Sequence, residues 1–250
     1  MRTIRVSLTV VLCVGVLAAA TTPASANVIY EDIYYWAPDG QGGIQVFLNP
    51  TEPPVDAYVK IQETVYDDAQ ARAYLDPLML LGAIHGDNVS DISEPFDLYV
   101  YSITNLNYTP ELASGEPGNG VAGYEVAIAP GVALLGIWAP DRANVWWRGQ
   151  TEGLDVVWDI DADHDGDLGD GWGILPSQTF GSFMFAVPAG TPHSQEVAAQ
   201  IWSWTGEWTQ GGQEFGDLWG LVSGPVPEPA TMVLLGLGLL GVVVPRWRRR

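Results

Sequence analysis

The sequence predicts an all-β fold, a single exported antiparallel β-sandwich flanked by an apolar segment at each end of the chain. Three observations lead there. Short apolar runs rich in Val, Ile, Tyr and Trp alternate with clusters of Gly, Pro, Asn and Asp. The runs recur at regular spacing, which favours a sandwich or barrel. No strand–helix alternation of the kind that builds a parallel sheet is visible.

Taken in order, strands are expected at Val28–Trp36, Gly43–Leu48, Ala57–Val65, Phe96–Leu106, Val121–Ile128, Val132–Trp138, Asn144–Arg148, Leu154–Ile160, Phe180–Ala186 and Ala198–Trp204. Turn signals separate most of them, among them Asp39-Gly40, Asn49-Pro50, Pro130-Gly131, Asp165-Gly166 and Gly211-Gly212. A short helix is expected over Asp67–Leu75, with Asp67 or Asp68 as its cap. The sandwich domain is expected over residues 27–224, followed by a proline-rich linker at 225–229.

Residues 1–26 read as a secretory signal peptide. Arg2 and Arg5 give a positive start, Val6 to Ala20 is mostly apolar, and Ala24-Ser25-Ala26 fits the small-x-small pattern of signal peptidase cleavage. Cys13, the one cysteine, lies within this segment, so the exported part has neither disulfide nor thiol chemistry. Between Glu31 and Glu228 four bases (Lys60, Arg72, Arg142 and Arg148) stand against 30 acids, a net charge of −26. Such a surface repels nucleic acid and anionic membrane, and attracts divalent cations. Abundant apolar and aromatic residues argue against disorder.

The C-terminus has three zones in order. Pro227, Glu228 and Pro229 come first, then an uncharged span from Ala230 to Val244, then Arg246, Arg248, Arg249 and Arg250. This tail resembles the PEP-CTERM sorting domain of bacterial proteins handled by an exosortase. The span at 230–245 is expected to cross the membrane, with residues 246–250 as a basic cytoplasmic tail. Fifteen residues of helix reach roughly 22 Å, short of the ~30 Å hydrocarbon core, a mismatch that snorkelling arginines and local thinning accommodate. An ordinary retained single-pass anchor is the other reading of the same residues. The resemblance implies an exosortase-type membrane protease as partner, and a final place at the cell surface, outside the cell or in an exopolysaccharide matrix. More weakly, the layout of Tyr99–Asn105, Pro130-Gly131-Val132, Gly173–Pro176 and Gly181–Phe185 resembles one frequent in PEP-CTERM proteins, which implies a β-sandwich without known catalysis.

The acidic loop is the candidate for chemistry. From Leu154 the chain alternates, with Val156, Trp158 and Ile160 on one face and Asp155, Asp159 and Asp161 on the other. The strand runs into Asp161, Asp163, Asp165, Asp167 and Asp170. The spacing Asp-x-Asp-x-Asp-Gly places hard oxygen ligands at alternate positions, with Gly166 allowing a sharp turn, which is how a calcium loop begins. Counted from Asp161, position twelve is Trp172 and not a bidentate glutamate, so the loop is not an EF-hand. It reads either as a calcium site or as a solvated turn whose Asp and Gly serve backbone geometry.

Ten tryptophans follow the signal peptide and precede the tail: Trp36, Trp138, Trp146, Trp147, Trp158, Trp172, Trp202, Trp204, Trp208 and Trp219. Most are expected in the core; an exposed set is open to a sugar platform or a protein interface. His-Glu-x-x-His, Gly-x-Ser-x-Gly and phosphate-loop motifs are absent from the sequence. The expectation is therefore an exported, non-catalytic surface or matrix protein. The alternatives are a calcium-dependent glycan-binding module, which needs coplanar exposed tryptophans, and a secreted hydrolase, which needs a cleft with a perturbed carboxylate pair.

Overall fold

A computed structural model describes residues 28–110, 120–142, 145–160, 173–205 and 213–227. Among them are twelve strands: β1 Val28–Pro38, β2 Ile44–Leu48, β3 Val59–Tyr66, β4 Ile84–Gly86, β5 Phe96–Asn105, β6 Gly123–Ala127, β7 Gly136–Arg142, β8 Val145–Glu152, β9 Asp155–Ile160, β10 Thr179–Pro188, β11 His193–Thr205 and β12 Gln213–Pro225. One α-helix, α1, spans Asp68–Leu80.

The strands form two antiparallel sheets, an arrangement consistent with the all-β sandwich expected from the sequence. The first runs β2-β1-β3-β5-β10-β7, with the short β4 also on β7, and the second runs β8-β9-β6-β11-β12. Two residue pairs between β7 and β8, Asp141 with Trp146 and Arg142 with Val145, carry the ladder from one sheet to the other. The inner faces share one aromatic core. Tyr101 of the first sheet meets Tyr124 of the second edge-on at 5.6 Å, and Trp158 stacks on Tyr124 at 5.4 Å. A period of two drives this: β3 alternates buried and half-buried residues along its whole length.

The outer face of the first sheet is buried as well. Helix α1 lays Ala71 and Leu75 against Phe96, Leu98, Trp138, Met184 and Ala186. Asp67 caps the helix, accepting the Gln70 amide at 3.0 Å. Arg72 bonds Asp68 at 3.0 Å and lies over the Phe96 ring. Replacing the cap, Asp67→Ala, is expected to lower stability by about 1 kcal/mol, measured by chemical denaturation.

Several elements differ from the sequence reading. The helix continues past Leu75 through Pro77 to Leu80, because Leu78 and Met79 still find the outer cluster. The strand expected from Val132 starts at Gly136. Strands β4 and β12 are not among the expected strands, β8 runs on to Glu152, β11 begins at His193 and not at Ala198, and β12 runs through Pro225, into the first residue of the expected linker. Its glycines have a packing reason. The Trp36 ring covers Gly220 so closely that a Cβ there would meet it at 2.5 Å. Gly123 is covered by Trp202 in the same way.

Candidate functional site

Of the residues singled out in the sorting motif, Pro227 is the one within the described residues; Glu228, Pro229, Arg246, Arg248, Arg249 and Arg250 lie outside them. So do the cleavage residues Ala24 and Ala26 and the whole acidic loop, Asp161, Asp163, Asp165, Asp167 and Asp170. Val226 and Pro227 leave the sandwich beside the turn after β10, where the Val226 amide donates to Pro192 O at 2.8 Å. Among the described side chains Trp36, Trp138, Trp147, Trp158 and Trp202 are buried, and Trp219 is 58% exposed.

The structure assembles a different group, missed in the sequence. Asp32 on β1 and Glu63 on β3 are direct cross-strand neighbours. Both point into the space between the sheets, because Asp32 is in phase with Tyr34 and Trp36, and Glu63 with Val59, Ile61 and Val65. His193 enters from the start of β11, in the second sheet. One ligand atom from each of the three lies within 4.8 Å of the others. The sequence did hold a signal: an acid at an inward position of an apolar stripe.

Asp32 is well satisfied. Its Oδ1 accepts from Asn49 at 2.8 Å, and its Oδ2 accepts from Gln195 at 3.0 Å and Ser223 at 2.8 Å. Burial pushes its pKa up, but the hydrogen bonds from Gln195, Asn49 and Ser223, with the nearby His193, outweigh it and hold the carboxyl below its ordinary value. Glu63 has the opposite balance. It is fully buried, and neither of its oxygens makes a hydrogen bond. Burial, reinforced by the charge on Asp32, pushes it up to about 8, although Ser223 partly offsets the shift. The Ser223 hydroxyl is already engaged, bonded to the Tyr34 hydroxyl and donating to Asp32. The Ser223 carbonyl accepts from Tyr101 at 2.8 Å.

His193 is stacked on Tyr30, with ring centroids 4.0 Å apart and planes 8° from parallel. Its Nδ1 is 3.4 Å from the Tyr99 hydroxyl. Its Nε2 is 3.9 Å from Asp32 Oδ2, beyond hydrogen-bond reach. Burial pushes its pKa down against the pull of Asp32, which favours a neutral imidazole at pH 7. At pH 7 the group therefore offers the Asp32 carboxylate, a Glu63 carboxyl that still holds its proton and a neutral ring nitrogen, walled by tyrosines.

In comparison with known protein families, residues 225–250 fit the PEP-CTERM protein-sorting motif. No curated protein and no solved structure matches. The motif implies an exported protein sorted by an exosortase, itself a membrane protein, and anchored in the membrane before processing. Among the described residues no helix is long and apolar enough to cross a membrane; the span at 230–245 lies outside them. The match is confined to the tail: residues 225–250 carry a PEP-CTERM protein-sorting motif.

Proposed function

We propose that this is an exported, non-catalytic surface or matrix protein, a β-sandwich that an exosortase cuts from its membrane-held tail. The tail motif at 225–250 carries the reading. The net charge of −26 between Glu31 and Glu228, from four bases against 30 acids, supports a solvated extracellular life among hydrated polysaccharide. Calcium at the Asp161–Asp170 loop is part of the same proposal.

The hydrolase alternative needs a carboxylate pair with pKa values pushed apart, and Asp32 and Glu63 are such a pair. Their place argues against substrate access. Glu63 is fully buried, and neither residue lines the surface groove of about 680 Å³ between Gly86 and Thr151. The glycan platform finds one exposed described tryptophan, Trp219, without a coplanar partner among the described residues.

The test is sorting in a host that carries an exosortase. The wild-type chain should reach the surface or medium in a shortened form. A chain with Pro227, Glu228 and Pro229 all changed to Ala should stay full-length in the membrane fraction. Equal processing of the two, or no dependence on the exosortase, would overturn the proposal.

A further inference from the structure

Independently of the tail, the geometry points to a structural metal site for a first-row divalent cation of the zinc type, held by Asp32, Glu63 and His193 between the two sheets. Three observations converge. The three side chains come from three strands in two sheets, and their ligand atoms already lie within 4.8 Å of one another. Donors about 2.0–2.2 Å from one tetrahedral ion sit roughly 3.4 Å apart, so side-chain rotations of the order of an ångström close the site. Second, Glu63 is fully buried with both oxygens unpartnered, and it is aimed into the cluster. A buried carboxylate without a partner is costly, and a cation there satisfies it. Third, His193 Nε2 is buried and free of any hydrogen bond, while Nδ1 has the Tyr99 hydroxyl beside it. That is the arrangement of a metal-bound histidine, in which the outer nitrogen donates to a neighbour that fixes the ring.

The donor set selects the ion. One imidazole with two carboxylates suits zinc and its neighbours, whereas calcium asks for six to eight oxygens and magnesium keeps most of its waters. The hydroxyl of Ser223 adjoins the cluster, donating to Asp32 at 2.8 Å. Tyr30, 43% exposed and stacked on the imidazole, is the cover that must swing aside for entry. The ion would tie β1 and β3, near the start of the chain, to β11 near its end, closing a long loop of chain. The tie sits at the root of the sorting tail, since His193 pairs with Pro225.

The full-length chain, purified in detergent and stripped with EDTA, is titrated with zinc at pH 8. Metal content, the unfolding midpoint and, with cobalt as probe, the visible absorption band of a ligated ion are recorded. One zinc per chain is expected at this site, with the unfolding equilibrium shifted about 100-fold at a hundredfold excess over Kd. Glu63→Gln, nearly isosteric, and His193→Gln should each weaken zinc by more than about 100-fold, beyond the 10–100-fold typical of losing an outer neighbour, and both should lose the cobalt band. A double Asp161→Asn, Asp163→Asn variant should keep zinc and cobalt binding. The proposal is overturned if the wild-type chain takes up no zinc, if uptake survives in both single variants, or if it is lost only with the acidic loop.

Discussion

Replacing Glu63 with Gln in the EDTA-treated protein should raise stability at pH 8 and leave it nearly unchanged at pH 4.5. The sign follows from where the proton sits. In the unfolded chain Glu63 ionises near 4.5, and in the folded protein at about 8. The folded state therefore holds a proton that the unfolded state has released, and stability falls as pH rises between those values. An isolated group shifted this far loses about 5 kcal/mol across the window, an upper figure because Asp32 shares the charge. Glutamine keeps the shape and the neutrality and so removes the slope. The groups facing Glu63 do not mimic the effect. Tyr34 on β1, Tyr99 and Tyr101 on β5 and Tyr124 on β6 are all pushed upward by burial, away from this window. Asp32, with its pKa lowered, contributes stability that is lost only as pH falls below the ordinary carboxylate range. His193, lowered from 6.5, makes stability rise with pH up to that value, so the interval from 6.5 to 8 belongs to Glu63. Denaturant midpoints at pH 4.5, 6.5 and 8 decide the matter; parallel curves for the two proteins would show that Glu63 is not the buried acid responsible.

The strands were legible because alternation is written into them. Val59–Tyr66 buries the residues its period of two assigns to the core; Asp155–Ile160 does not alternate, since Val156 to Ile160 are all buried, Asp159 among them. Strand β12 was not, because glycines at 216, 220 and 224 and Pro225 imitate a loop. Gly220 is there for a ring that arrives from β1, some 180 residues earlier in the chain, and no local pattern reports such a contact. Pro77 lies inside α1, beyond the expected end of the helix. It removes one backbone donor, which normally ends a helix, yet the burial of Leu78 and Met79 against the outer cluster carries α1 to Leu80. The polar cluster was half legible. Asp32 and Glu63 occupy inward positions of readable strands, so each interrupts an apolar stripe. That they oppose one another depends on the register of β1 with β3, and that His193 joins them depends on how the second sheet is laid over the first.

Among the described tryptophan side chains five of six are buried, and Trp158→Ala should show what one of them contributes. Trp158 is fully buried on β9. It stacks on Tyr124 and packs against Tyr101, Phe183 and Phe185, with ring centroids 5.4 to 6.3 Å away. Its Nε1 donates to Trp138 O at 2.9 Å, linking β9 of the second sheet to β7 of the first. Truncation removes the contacts with Tyr101, Phe183 and Phe185 of the first sheet, and the indole hydrogen bond to Trp138 O. Aromatic-to-alanine changes in cores cost about 3–5 kcal/mol, and the lost indole hydrogen bond adds roughly 1 kcal/mol. A loss of about 5 kcal/mol is a large part of what a domain of this size has, since total stabilities run about 5–15 kcal/mol. Trp219, 58% exposed on β12, supplies the contrast: Trp219→Ala should change stability by no more than about 0.5 kcal/mol. Equal losses at the two positions in urea denaturation would mean that the rings are interchangeable surface groups, and the shared aromatic core would then not be what joins the sheets. If Trp219→Ala leaves stability intact but weakens retention on purified polysaccharide, the exposed ring works outside the core, where the sugar-platform alternative would place it.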